Sequence, residues 1–159
     1  MGAEVFDRVK AKLAATEEES RVEHGILVVH LAPDAVAAAA RALKEEGFDI
    51  FLDVTAVDWP ARDPRFDVVW HFYSTKHKVR VRVKAGVPGA DPVAPSLTAV
   101  YGSAAFMERE CHDMYGIGFR GNGDLRPILL YEGFVGHPLR KDYPKDREQP
   151  LVPYREGAP

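Results

Sequence analysis

The stretch KVRVRVKAG, residues 78–86, alternates Val79, Val81 and Val83 with Arg80, Arg82 and Lys84. Strand side chains point to opposite faces in turn, so a period of two describes a strand with one dry face and one wet face. RFDVVWHFYS (65–74) precedes it across Thr75, Lys76 and His77, and the pair reads as a β-hairpin. The cationic row reads as the guard of an edge strand.

Elements able to cover the dry face lie on both sides of the hairpin. Residues 3–15 set Val5, Phe6, Val9 and Leu13 at helical spacing, and Ile26 to Leu31 is an apolar, β-rich run. PDAVAAAARALKEEG (33–47) reads as a helix with Asp34 at its start, alanines inside and Gly47 as its cap. FDIFLDVTAVDW (48–59) reads as a strand ending at Pro60, and ARDPR as a turn. Prolines and glycines interrupt 86–97, after which Ser103 to Tyr115 reads as a helix with Ser103 as N-cap. From Gly116 onward regular patterning stops, and only ILLY (128–131) suits a short strand. The order predicts an α+β domain over 1–118, two layers with helices packed on a mixed, partly antiparallel sheet. An extended, irregular, Gly/Pro-rich partner-binding tail follows over 119–159.

Bulk properties exclude several classes. With 46% hydrophobic and 28% charged residues among 159, and a net charge of −3, the chain is an ordinary globular mixture without a basic field for nucleic acid. One cysteine, Cys111, permits no internal disulfide and fits a reducing compartment. The N-terminus lacks the apolar core of a signal peptide, and no apolar run nears the roughly 18 residues of a membrane span. A soluble cytoplasmic chain is expected.

Candidate chemistry is sparse. Gly116, Gly118 and Gly121 spell G-x-G-x-x-G, but a dinucleotide fingerprint needs a strand before it and a helix opening within it. Here a helix precedes, so the glycines read as a helix cap leading into a tight turn. His24 and His30 share a strand face about 20 Å apart, too far for one metal ion. Glu108 with His112, and Arg109 with Asp113, read as surface pairs one helical turn apart. Cys111 lines up with Met107 and Met114 as packing. Asp53, Asp58, Asp63 and Asp67 read as solvated loop carboxylates. No catalytic, cofactor-binding or metal residue emerges. The tail remains, rich in aromatics, Pro and Arg, and such a segment must satisfy its backbone and apolar surface against something.

Three ordered motifs carry a resemblance: E-R-E-C-H-D-M-Y-G-I-G-F (108–119), G-D-L-R-P-I-L-L (123–130) and G-F-V-G-H-P-L-R-K-D-Y-P (133–144). Together with L-D-V-T-A-V-D-W (52–59), the hairpin arm and P-S-L-T (95–98), they resemble the C subunit of proton-pumping NADH:quinone oxidoreductase, respiratory complex I. Related subunits occur in membrane-bound hydrogenases. The resemblance implies a non-catalytic structural subunit of the peripheral arm, on the cytoplasmic side of the membrane. It implies no cofactor in this chain, with flavin, iron–sulfur clusters, NADH and quinone supplied by the complex. The implied partners are the large quinone-site subunit and the terminal-cluster subunit.

Carried onto this sequence, the helix motif comprises Glu108, Arg109, Glu110, Asp113 and Gly116. The loop motif comprises Phe119, Asp124, Leu125, Arg126, Ile128 and Leu129. Gly133, Phe134, Gly136, Pro138 and Leu139 open the tail motif, and Arg140, Lys141, Asp142, Tyr143 and Pro144 close it. Asn122-Gly123 replaces the family's His-Pro, Pro127 replaces an Arg, and Tyr131-Glu132 replaces Asp-Trp. Arg126 and Arg140 suit bidentate pairing with a neighbour's carboxylates. Phe134 and Tyr143 suit aromatic anchors, while the charges of 108–113 suit bracing of the helix to the next loop. Alternatives are the equivalent subunit of an energy-converting hydrogenase and a stand-alone nucleotide-dependent oxidoreductase built on Gly116–Gly121.

Overall fold

The computed structural model describes residues 2–147 and 149. Its elements run α1 (Gly2–Leu13), β1 (Glu17–Glu23), β2 (Ile26–Leu31), α2 (Val36–Glu45), β3 (Ile50–Asp58), β4 (Phe66–Ser74), β5 (Val79–Val87), β6 (Val93–Pro95), α3 (Ala104–Tyr115) and β7 (Gly118–Arg120). Five strands form a mixed sheet in the order β1-β2-β5-β4-β3, and β6 pairs with β7 in a small parallel ribbon. The predicted two-layer α+β architecture is what the chain adopts.

β4 and β5 form the expected hairpin, in register from Phe66↔Val87 to Ser74↔Val79. β5 is not an edge, however. It lies at the centre, antiparallel to β4 and parallel to β2. The parallel pairing is the reach of the chain from β2 through α2, β3 and β4, which no periodicity records. The edge is β1, EEESRVE, an unanticipated strand hydrogen-bonded to β2. It carries no apolar alternation because its acidic side chains stay largely in water, which suits an edge that must refuse further pairing. His24 (φ +49°) and Gly25 (φ +77°) turn the chain between them, so His24 lies in a turn and shares no strand face with His30.

The core lies between the helices and one face of the sheet. Val5, Val9 and Leu13 of α1, Ala39, Ala40 and Leu43 of α2 and Ala104 and Cys111 of α3 join Leu27, Val29, Val54, Trp70, Phe72, Val81 and Val83. α2 begins after a short 3-10 turn, Pro33–Ala35, and Asp34 makes no cap hydrogen bond there; its carboxylate pairs with Arg120. The other end closes as expected. Phe48 N–H reaches the Leu43 carbonyl at 3.0 Å and Gly47 N–H the Lys44 carbonyl at 3.1 Å, with Gly47 at φ +93°. Ser103 holds the expected N-cap position of α3, but its side chain makes no cap hydrogen bond; the hydroxyl lies 3.5 Å from the Phe51 carbonyl. Residues 128–131 form no strand.

An added Cβ at Gly47 has room, its nearest neighbour being His77 at 3.6 Å, so only backbone strain opposes it. Gly47→Ala is expected to cost about 1 kcal/mol, read as a lower urea midpoint at unchanged slope.

Candidate partner interface

α3 carries two carboxylates inward. Ala104, Glu108 and Cys111 share one buried face, and an ionised group placed there needs donors. Glu108, fully buried, receives them from irregular chain: Leu97 N–H at 2.6 Å on Oε1, and the Ser96 hydroxyl (2.8 Å) and Asn122 amide (2.9 Å) on Oε2. Burial raises its pKa, and the three donors partly offset that rise. Asp113, five residues further, accepts the backbone N–H groups of Ile128, Leu129 and Leu130 at 2.8, 2.9 and 3.3 Å. Burial alone would raise Asp113, but the three amides together hold it below the ordinary carboxylate range. Arg109 donates to the carbonyls of Arg126 and Pro127, 2.9 Å each. Neither surface pair expected along α3 forms: Glu108 faces the core, and Arg109 and Asp113 both grip the loop. The sequence periodicity failed because a buried carboxylate occupies a position where an apolar residue was expected.

The end of α3 is bound by the tail. Gly116, at φ +70°, caps the helix as predicted. An added Cβ would collide with the His137 ring and the Arg140 guanidinium, which approach across it. Helix C-termini leave carbonyls unpaired, and the tail supplies the donors. His137 Nδ1 donates to the Asp113 carbonyl (2.9 Å), Leu139 N–H to Met114 (3.1 Å) and Arg140 Nε to Tyr115 (2.6 Å). Arg140 also carries positive charge to the negative end of the helix and stacks over Phe66, 5.3 Å from the ring centroid. His112 donates from Nδ1 to the Ile117 carbonyl at 3.0 Å.

A second clamp went unread in the sequence. Asp58 closes β3 and is buried, and Arg65 directly precedes β4; the pairing of Asp58 with Phe66 brings the two side chains together. Arg65 grips both Asp58 oxygens (2.7 and 2.8 Å) and reaches Asp142 of the tail at 2.9 Å. Lys141 N–H donates to Asp58 at 2.8 Å. Arg65 thereby lowers the pKa of Asp58 and of Asp142. Asp58 is no solvated loop carboxylate. Nor is Asp53, which lies in β3 beside His71, nor Asp67, which accepts from Trp59 and pairs with Arg62. The complementary charges at the two ends of the 58–65 loop were the available signal.

The remaining motif residues divide by face. Phe119 is in the core, on β7, and Leu125 packs partly against it. Arg126 forks onto Asp124 within its own turn (2.9 and 2.8 Å), and its guanidinium holds the Asp124 carboxyl well below the usual range. Phe134 stacks on Tyr143, centroids 6.1 Å apart, and Tyr131 meets Phe134 edge-on at 5.4 Å. Gly136 lets the Tyr143 ring approach, to 2.8 Å of where a Cβ would stand. Gly133 adopts φ +91°. Outward go Glu110, Ile128, Leu129, Val135, Leu139 and Pro144, with Pro138 half-buried. Leu129 is 60% exposed, as is Phe106 on α3, a residue outside all three motifs. Cys111 is buried, and burial raises its thiol pKa, in keeping with packing.

Fold and site define a small α+β domain whose tail is pinned to one helix and turns apolar side chains outward. The chain belongs to the family described as the respiratory-chain NADH dehydrogenase 30 kDa subunit, which matches residues 29–149. Relatives named as the C subunit of NADH-quinone oxidoreductase include one from Rhodobacter capsulatus, 46% identical over 128 residues, 79% of this chain and 64% of that protein. One from Geobacter sulfurreducens is 43% identical over 146 residues, covering 89% of this chain and 90% of its own length. The chain thus spans about two thirds of some relatives and nearly all of others. Among solved structures, a trypsin-resistant fragment of Nqo5 superposes with a TM-score of 0.67 at 30% identity, covering 79% of this chain and all of that one. A chain of a membrane-bound sulfane sulfur reductase, an archaeal respiratory membrane complex, superposes with a TM-score of 0.79 at 27% identity, covering 91% and 86%.

Two outcomes follow from this geometry. Glu108→Ala strands the Leu97 and Asn122 donors and is expected to cost about 3 kcal/mol in denaturant unfolding. Asp58, lowered in the folded state, contributes stability in full above its unfolded value of about 3.9, and loses it as the pH falls through the lowered value. Hydrogen-exchange protection of the Lys141 amide is therefore expected to hold at neutral pH and to be lost only once the pH falls below the ordinary carboxylate range. Asp58→Ala, which leaves the amide no acceptor, should remove it at all pH values.

Proposed function

We propose that this chain is a structural subunit of the peripheral arm of an NADH:quinone oxidoreductase, without a catalytic group or cofactor of its own. It docks through α3 and the tail onto the quinone-site and terminal-cluster subunits, on the cytoplasmic side of the membrane, and meets the bilayer only through the complex. Among the described residues no helix is long and apolar enough to cross a membrane, which suits a peripheral position.

One observation carries the reading. Asp113 fixes the backbone of Ile128–Leu130 with three hydrogen bonds, and that same backbone turns Leu129 into water at 60% exposure. Ordering an irregular segment only to expose its leucine is unfavourable for an isolated chain. It favours binding, because the entropy of ordering is already spent before the partner arrives. Phe106, Val135 and Leu139 extend the exposed apolar surface.

A second reading, the equivalent subunit of another membrane-bound respiratory complex, draws on the superposition with the sulfane sulfur reductase chain. The identities of co-purifying chains separate the two.

Leu129→Asp should leave unfolding unchanged within about 0.5 kcal/mol and lower recovery of the assembled complex in affinity purification at least tenfold. Undiminished recovery would remove Leu129 from the interface. The isolated chain should be colourless and inert toward NADH; a bound flavin spectrum would sink the structural reading.

A further inference from the structure

The five-stranded sheet has two faces, and the helices lie on one. Val81, Val83 and Ala85 of β5 enter the core, so Arg80, Arg82 and Lys84 turn to the opposite face. Across the strands at the level of Arg82, that face reads Arg21, Val28, Arg82, His71, Asp53. Val28 and Val69 on this face are buried, yet they stand apart from the main core.

This surface is organised in columns. Down the middle runs β5 with its three cations. Arg82 donates to His71 Nε2 at 2.8 Å, which leaves the ring proton on Nδ1, 2.6 Å from Asp53. Arg80 and Lys84 make no ion pair among the described residues. Two strands away, along β3, Ile50 and Val57 are exposed, and Trp59 follows at 47% exposure, anchored through its indole N–H to Asp67. At the opposite margin β1 presents Glu19 and Glu23, bridged by Arg21.

We infer that this face is a second docking surface, and that its occupant is an amphipathic α-helix of a partner protein. That helix lays carboxylates along the β5 column and apolar side chains against Ile50, Val57 and Trp59, to either side of Asp53. The inference rests on the chain being a subunit, as proposed above, but uses a different face from α3 and the tail. The dimensions match. β5 and β3 are two strand spacings apart, about 10 Å, which is the breadth of one helix, about 10–12 Å with side chains. Arg80, Arg82 and Lys84 recur about every 6.7 Å along the strand, while residues four apart on a helix recur about every 6 Å. A helix with Asp or Glu at every fourth position therefore keeps register with all three cations. The acidic margins, Glu19, Glu23, Asp53 and Asp67, disfavour a continuous polyanion such as nucleic acid or an anionic bilayer and leave room for discrete carboxylates. A helix here would complete a helix–sheet–helix sandwich.

The test places the photo-crosslinking residue p-benzoylphenylalanine at position 73, beside Arg80 on this face, or at position 129 in the tail. Each is placed in the full chain within the natively purified assembly. The expected result is a protein crosslink from position 73 to a peptide bearing acidic residues four apart. The double variant Arg80→Glu, Lys84→Glu should reduce that yield at least tenfold and leave the position 129 crosslink unchanged. A crosslink at 129 with none at 73 overturns this inference and spares the tail interface. A crosslink from 73 to lipid or nucleic acid overturns it in favour of that other occupant. If neither position crosslinks, both the subunit reading and this inference fail.

Discussion

A carboxylate withdrawn from water must be given donors, and three such groups organise this chain. Glu108 takes Leu97 N–H, Asp113 takes the amides of residues 128–130, and Asp58 takes Lys141 N–H. In each case the donor is a backbone group in a segment with no strand or helix to satisfy it. The exchange settles two problems together, since a buried charge and an orphaned amide would each cost free energy alone. An irregular C-terminal segment is thereby given a fixed path over the domain without regular structure of its own.

Fixing the path also sorts the tail into two faces. His137 and Arg140 bind inward, across Gly116 and the last carbonyls of α3, and Asp142 meets Arg65. Ile128, Leu129, Val135 and Leu139 are left outward. The two arginines read from sequence as ready for a neighbour's carboxylates, Arg126 and Arg140, both have partners within the chain. The apolar residues between them are what remains free for contact. Charge holds the tail in place, and apolar surface is what it presents.

The sheet repeats that division. Its covered face is a continuous apolar core against three helices, while its uncovered face mixes cations, histidines and a few sheltered valines. A central strand with a charged face belongs to a sheet that is finished on one side only, unlike an edge strand whose charges merely discourage pairing.

The elements with a strong period were legible before folding: the β4–β5 hairpin, α1, the body of α2 and the cap at Gly47. Each rests on local spacing or a single backbone conformation. The motifs of 108–144 named the family for the same reason, because an ordered pattern of residues is a property of the chain alone. What the fold decided is whatever depends on two distant segments meeting. β1 had no periodic signal to show, and β5 became central only through its parallel pairing with β2. Glu108 and Asp58 read as solvated until the chain brought Leu97, Asn122, Arg65 and Lys141 to them. A buried charge looks like a surface charge in sequence; only the donors that surround it, gathered from elsewhere in the chain, make burial possible.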